Sequence, residues 1–256
     1  MSDPSRVYGV HAVRWLLKQH PERVRRLWLQ STRDDARTAE VAALAREAGI
    51  SVQRVDARKL DEWTDAASHQ GVMAEAEPSR SWGEEDLYRH LEALAVPALL
   101  LLLDGVQDPH NLGACLRTAD ACGAHALIVP RDRAAGLTPV ARKVAAGAAE
   151  TVPVVTVTNL ARTMRALKER NLWLIGADPQ AERDASEADL KGAVGLVMGS
   201  EGEGMRRLTR ESCDVIVRLP LLGAVESLNV SVAAGMLLYE AVRQRRMPAT
   251  AHGKSV

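Results

Sequence analysis

Three short stretches of this 256-residue chain concentrate side chains able to do chemistry. The first runs Asp104-Gly-Val-Gln-Asp-Pro-His-Asn-Leu-Gly-Ala-Cys-Leu-Arg. Asp-Pro makes a turn, Asn111 has the side chain of a helix cap, and Gly113 permits close approach of a backbone or a ligand. Arg117 follows Gly113 by four residues and so shares its helix face. A guanidinium near a helix start opposes the helix dipole, which calls for an anion beside it, phosphate above all. The plainer alternative makes Asn111 a cap only and pairs Arg117 with Asp104 or Asp120. The second stretch is Val197-Met-Gly-Ser-Glu-Gly-Glu-Gly-Met, a glycine loop. It matches neither the dinucleotide nor the phosphate-loop fingerprint. Glu201 and Glu203 would repel phosphate, so the loop suits a ligand with positive charge or hydrogen-bond donors. Its alternative is a flexible turn. The third is Leu219-Pro-Leu-Leu-Gly-Ala-Val-Glu-Ser-Leu-Asn. Ser227 or Asn229 can cap the last helix, but Glu226, Ser227 and Asn229 crowd one helix start where a single cap suffices.

Each stretch follows an apolar run, as the loops of a parallel α/β sheet do, where ligands bind beyond the carboxyl ends of the strands. Such runs are Pro97–Asp104, Ala126–Val129, Val152–Val157, Leu172–Gly176, Val194–Met198 and Val215–Leu219. Helical patterns over Leu112–Cys122, Leu160–Glu169 and Leu228–Gln244 separate or follow them. Upstream, helices over His11–Lys18 and Ala36–Ala48 alternate with strands over Val24–Leu29, Ser51–Val55 and Gln70–Glu77. The expected architecture is therefore a small α/β domain over residues 1–77 and a polar connector over 78–95 carrying a short helix, Leu87–Leu94. A parallel-sheet domain follows over 96–246, then a disordered tail over 247–256.

Lys and Arg number 33, as do Asp and Glu, so the whole chain carries no net charge and any nucleic-acid surface must come from local clustering. The basic runs are Arg23, Arg25 and Arg26, the densest in the first domain, then Arg206, Arg207 and Arg210, and Arg243, Arg245 and Arg246. The plain reading of such runs is a solvated face. Cys115, Cys122 and Cys213 form no CxxC pair, which argues against a disulfide framework or zinc site and fits a reducing compartment. The polar start carries no secretory pattern, and the run from Val96 to Leu103 is too short to span a bilayer. A cytoplasmic protein without a membrane segment or metal is expected.

With the three stretches in this order, the chain resembles the SpoU/TrmH family of RNA 2′-O-methyltransferases in the SPOUT superfamily, over almost its full length from Tyr8-Gly-Val-His-Ala-Val to Glu240-Ala-Val-Arg-Gln-Arg. Within the family it is most similar to enzymes that methylate a guanosine ribose in the peptidyl-transferase region of 23S ribosomal RNA. The resemblance implies S-adenosylmethionine as methyl donor, whose sulfonium and amine suit the acidic glycine loop, and a homodimer with its interface near the site. It also implies an RNA-binding N-terminal domain, and a C-terminal SPOUT domain whose chain is threaded into a deep trefoil knot. By position, Arg117 matches the family's catalytic arginine, and Asn111, Glu201, Ser227 and Asn229 match its motif polar residues. Gly199, Leu219 and Leu228 match positions whose backbone holds the donor. A transfer-RNA substrate, or a nonenzymatic RNA-binding assembly factor on the same fold, are the alternatives.

The implied reaction sets its own demands. A sulfonium methyl is reactive without metal or covalent intermediate, whereas a ribose hydroxyl must lose its proton as it attacks. Arginine stays protonated in proteins, so Arg117 suits a stabiliser of the developing alkoxide and a phosphate clamp better than a base. The proton acceptor is then a substrate phosphate oxygen, or Ser227 relaying to water. His110 is a further candidate base by residue type, or a turn residue. His11 is an RNA contact or a satisfied histidine at a helix start.

Overall fold

The computed structural model describes residues 5–66, 68–77 and 80–247. Its first sheet gathers Ser5–Tyr8 (β1), Val24–Gln30 (β2), Val52–Val55 (β3) and Val72–Ala76 (β4) in the order β1-β4-β2-β3. The β2–β3 pairing is parallel and the others antiparallel. Helices Val10–Gln19 (α1) and Ala36–Glu47 (α2) bury Val13, Leu16, Val41 and Ala45 against one face. Asp35 caps α2 by accepting from the Arg37 and Thr38 amides. Ala57–Trp63 (α3) covers the other face through Leu60, packed with Trp28 and Met73. The sequence pattern anticipated α1, α2 and β2 to β4. It missed β1 and α3, each too short to display a period.

Glu84–Glu92 (α4) starts three residues earlier than expected, because Glu84, Glu85 and Asp86 favour a first helical turn and Asp86 accepts from the Gly83 amide. Its Leu87 is fully buried in the core of the second domain, so the connector is part of that core. The expected tail from 248 onward, and connector residues 78 and 79, lie outside the described residues.

The second sheet is built from Leu99–Asp104 (β5), Ala126–Pro130 (β6), Val154–Val157 (β7), Trp173–Ala177 (β8), Arg183–Asp184 (β9), Val194–Gly199 (β10) and Val215–Arg218 (β11). Its order is β7-β6-β5-β10-β8-β11-β9, with every pairing parallel. All six β5 residues are buried, as a strand covered on both faces requires. Burying a leucine side chain contributes roughly 1.5–3 kcal/mol, and β5 buries five, so this strand anchors the domain. One face packs against Pro109–Ala121 (α5), Pro139–Ala145 (α6), Ala148–Thr151 (α7) and Val230–Arg246 (α10). The other packs against α4 and Leu160–Lys168 (α8), while Arg207–Ser212 (α9) precedes β11.

The two domains also touch. A Cβ built on Gly147, whose φ of +96° is left-handed backbone, would lie 2.5 Å from the Ala12 Cβ of α1. Glu150, whose side chain is 4% exposed, pairs with Arg23 of the first domain at 3.0 Å and with Arg142 of the second at 3.1 Å. The basic runs are largely structural. Arg23 also donates to the Glu77 carbonyl, and Arg25 pairs with Glu77. Arg206 pairs with Asp104, Arg207 with Glu211, Arg210 with Asp178, and Arg243 with Glu240. Arg245 donates to the carbonyls of Pro97, Ala98, Leu190 and Gly192, and burial lowers its pKa. Of the first run, only the Arg26 side chain has neither a hydrogen bond nor an ion pair among the described residues, so the run is a domain joint more than an open cationic face.

Candidate active site

Asn111 in the first turn of α5, Glu201 in the glycine hairpin after β10 and Asn229 at the cap of α10 meet at the carboxyl ends of β5 and β10. Asn111 Nδ2 donates to Glu201 Oε1 at 3.1 Å. Asn229 Nδ2 donates to the same oxygen at 2.7 Å and to Asn111 Oδ1 at 2.9 Å. Asn229 also caps α10, its Oδ1 accepting from the Ser231 amide at 3.0 Å and the Ser231 hydroxyl at 2.6 Å. One carboxylate is thus held by two amide donors and keeps its second oxygen for another partner. Glu201 also lies close enough to Cys115, one turn beyond Asn111, to act on its thiol. Burial first, and then the Glu201 charge, push that thiol up to about 12. Burial likewise pushes the Cys213 thiol up to about 12, with Asp214 adding to it, so neither is an activated nucleophile.

Two expectations change here. The cap of α5 is Asp108, which accepts from the His110 amide at 2.9 Å, with Pro109 in the first turn. Asn111 is therefore already inside the helix, and its side chain is released from capping to reach Glu201. The earlier start also places Arg117 ninth among the thirteen residues of α5, away from the positive end of the dipole. The dipole argument for an anion at Arg117 falls. Arg117 is nevertheless exposed, and its side chain makes no hydrogen bond or ion pair with any described residue. Its two proposed partners are engaged elsewhere, Asp104 with Arg206 and Asp120 with the Thr151 hydroxyl. Ser227 is equally exposed and unpartnered among the described residues, while Glu226 and the side chains of His11 and His110 are exposed as well. The structure thus brings Asn111, Glu201 and Asn229 together and leaves Arg117 and Ser227 open to solvent.

The glycines serve the protein's own backbone. A Cβ on Gly113 would lie 2.5 Å from the Ala141 carbonyl oxygen, so this glycine admits α6 rather than a ligand. A Cβ on Gly199 would lie 2.2 Å from the Gly204 carbonyl carbon, because the loop folds back on itself. Ser200 and Gly204 exchange backbone hydrogen bonds of 3.0 and 3.1 Å, with Gly202 and Gly204 at positive φ. Gly199 thus permits a tight hairpin that presents Glu201. From Pro220 to Leu228, by contrast, the backbone makes no hydrogen bond to any described residue, so its amides and carbonyls are available. Leu219 and Leu228, half-buried, bracket this stretch.

Sequence reasoning missed Asp104 as a support. Its Oδ2 accepts from the Arg206 amide at 2.8 Å, tying β5 to the end of the glycine loop, and its buried Oδ1 has no hydrogen-bond partner. The lone charge closing an otherwise all-apolar strand was the available signal. Among the described residues no cluster of His, Cys, Asp and Glu is arranged to hold a metal ion.

A parallel sheet with a polar site on the loops beyond β5, β10 and β11 places the chain in a defined class. It belongs to the SpoU rRNA Methylase family, which residues 98–239 match, and residues 6–82 match the family described as RNA 2′-O ribose methyltransferase substrate binding. The chain is 54% identical over 247 residues to the 23S rRNA (guanosine-2′-O-)-methyltransferase RlmB of Pseudomonas putida, covering 96% of this chain and 99% of that one. It is 51% identical over 239 residues to the RlmB protein of Escherichia coli K12, covering 93% and 98%. Among solved structures it is similar to the SpoU methyltransferase AviRb from Streptomyces viridochromogenes in complex with AdoMet, with TM-score 0.70, 27% identity and coverage of 95% and 91%.

Proposed function

We propose that this chain methylates the 2′-hydroxyl of a guanosine in 23S ribosomal RNA with S-adenosylmethionine as donor. The observation that carries the reading is the closure of Asn111, Glu201 and Asn229 from three distant segments, with the unpaired Arg117 side chain on the helix that supplies Asn111. Relatives that bear this activity in their names, at 51–54% identity over nearly the whole chain, support it. The residues fit the donor. The free backbone between Leu219 and Leu228 offers hydrogen bonds to its adenosine, Gly199 shapes the adjoining hairpin, and the Glu201 carboxylate suits its cationic end. Bound there, the donor would supply a methyl group on a sulfonium.

The ribose oxygen gains that methyl and gives up its proton. Arg117, with five donors uncommitted, stabilises the alkoxide and holds the adjacent phosphate. The proton passes to a substrate phosphate oxygen, or through the Ser227 hydroxyl to water. Asn111 and Asn229 hold Glu201 in place. We read residues 1–77 as the RNA-binding domain and 96–246 as the catalytic domain, with the chain beyond β11 threaded into a trefoil knot as it returns to Asn111 and Glu201. We further read the working form as a cytoplasmic homodimer. Val232, Met236 and Tyr239 form an exposed apolar stripe at i, i+4 and i+7 along α10. Helix α10 packs on α5 where Gly235 meets Thr118, so the stripe lies on the helix next to Arg117. Among the described residues no helix is long and apolar enough to cross a membrane.

Mapping 2′-O-methyl groups in total RNA from cells with and without the protein tests the reading. One guanosine of 23S ribosomal RNA should lose its methyl group. Loss confined to transfer RNA, or no loss at all, would overturn it.

A further inference from the structure

Two cavities lie at the joint between the domains, and charge separates them. The larger, about 620 Å³, is lined by Arg6, Arg142 and Lys143 but also by Asp65, Glu75 and Glu150, so its formal charge is 3 − 3 = 0. Its cations are engaged. Arg142 pairs with Glu150 at 3.1 Å, Lys143 with Asp65 at 3.6 Å, and Arg6 donates to the Trp63 carbonyl at 2.9 Å. It offers nothing further to a phosphate.

The smaller, about 490 Å³, combines His20 and Arg23 of the first domain with Arg80, Trp82, Asp86 and Arg89 of the connector and α4. Three arginines face one carboxylate, a formal 3 − 1 = +2 with the imidazoles neutral. Arg23 shares Glu150 with Arg142, and that carboxylate is already counted in the larger cavity; on Arg80, Arg89 and Asp86 alone the excess is 2 − 1 = +1. Both arginines share Asp86 Oδ1, Arg89 at 2.7 Å, while Asp86 Oδ2 is taken by the Gly83 amide at 3.1 Å. The two guanidinium side chains are 73% and 69% exposed, so most of their donors face solvent. Trp82 stands edge-on to His90 with ring centroids 5.3 Å apart, and its carbonyl accepts from the Thr156 amide at 2.9 Å. Its backbone also bridges to Val155 of β7 and its half-buried ring packs on the second-domain core, which holds the indole beside the two cations on the β7 edge of the catalytic sheet.

We propose that this joint cavity is an RNA subsite, taking one backbone phosphate on Arg80 and Arg89 and the neighbouring unpaired base against Trp82. The inference rests on the RNA-methyltransferase reading for its ligand class. A diester phosphate carries the single negative charge the pair lacks, and arginine forks bind it in bidentate fashion. Aromatic faces take any base, so the subsite would hold the strand without reading its sequence. An RNA engaged by both domains has to cross their joint, and of the two cavities there only this one has charge to spare.

The test uses the full chain and a 12-nucleotide oligouridylate, read by fluorescence anisotropy between 50 and 200 mM salt. In R80A/R89A the log–log salt slope should fall by up to about 0.7, the share of one single-strand phosphate, so affinity at 50 mM salt drops relative to 200 mM by about 2.6-fold. With a 23S ribosomal RNA transcript, KM for RNA should rise while kcat and donor affinity hold. D86N keeps an oxygen for the Gly83 amide but removes the competing charge, so it should tighten RNA binding. A purely structural Asp86 predicts the opposite. An unchanged slope and KM in R80A/R89A, or weaker binding by D86N, would overturn the subsite. Inorganic phosphate that binds the unsubstituted protein and not R80A/R89A, with oligouridylate affinity the same in both, would assign the cavity to a free anion and overturn it too. Absence of methyl transfer by the unsubstituted protein would count against the enzymatic reading alone, because the binding comparison does not depend on turnover.

Discussion

Arg117 is the residue whose type carries the most chemistry and whose side chain does least for the fold. That side chain is exposed and makes no hydrogen bond or ion pair with any described residue, so its substitution leaves the protein's own contacts intact. Arg117→Ala should therefore keep the melting temperature and donor affinity while turnover falls by 10²-fold or more, the usual cost of losing an oxyanion stabiliser. Arg117→Lys should also fail, since an ammonium cannot reproduce the planar fork. Calorimetry with the donor and single-turnover methylation separate the two effects, and near-normal turnover in the lysine variant would remove the fork from the mechanism. Asn229 is the converse case. It caps α10 and donates to both Asn111 and Glu201, so its structural and functional duties cannot be separated by deletion. The residue types in these motifs were legible from the sequence, and so was the crowding of polar groups at one helix start. Which of them touch was not, because the three contacts span 28 to 118 residues of chain.

Elements decide how those residues are presented. The strands of the catalytic sheet were legible because burial on both faces demands unbroken apolar runs, as in β5. Helices α6, α7 and α9 were not read, being four to seven residues long. A signal for α6 existed all the same. Thr138 caps it by accepting from the Ala141 amide, and Pro139 opens its first turn. The start of α5 was misread by three residues because Asp108-Pro109 looked like a turn when it is a cap followed by the first helical residue. That shift alone moved Asn111 into the helix and Arg117 off its dipole end. Glycines were read as room for a ligand, whereas Gly113 and Gly199 make room for the protein itself. The consequence is testable at Gly199. A single methyl group would meet the Gly204–Met205 backbone, so Gly199→Ala should already weaken donor binding at least tenfold by displacing the hairpin that carries Glu201. Calorimetry on a variant with an unchanged circular dichroism spectrum checks this, and wild-type affinity would show that the hairpin does not shape the donor site.

At the scale of the whole molecule, the feature to test is the joint. The polar connector suggested two independent bodies, yet the 4%-exposed Glu150 binds one arginine from each domain. Removing one partner of a buried pair costs roughly 3–5 kcal/mol, and the partial exposure of Arg23 and Arg142 places Glu150→Gln at or below the lower end. The variant should loosen the docking, seen as a larger radius of gyration in solution scattering and a first domain that melts earlier. Unchanged scattering would mean that the remaining contacts across the joint, Ala12–Gly147 and Lys143–Asp65 among them, hold it without this pair. The sequence by itself determined the elements long enough to show a period, the parallel character of the second sheet, the motif residues and the family. These are local properties, written in the spacing of side chains along one stretch of chain. The tertiary structure decided the rest: that Asn111 and Asn229 share the Glu201 carboxylate, that Arg23 pairs with Glu150 across a joint, and that Gly113 and Gly199 yield to backbone. Those outcomes depend on which distant groups compete for the same space and the same hydrogen bonds, and that competition exists only once the chain has folded.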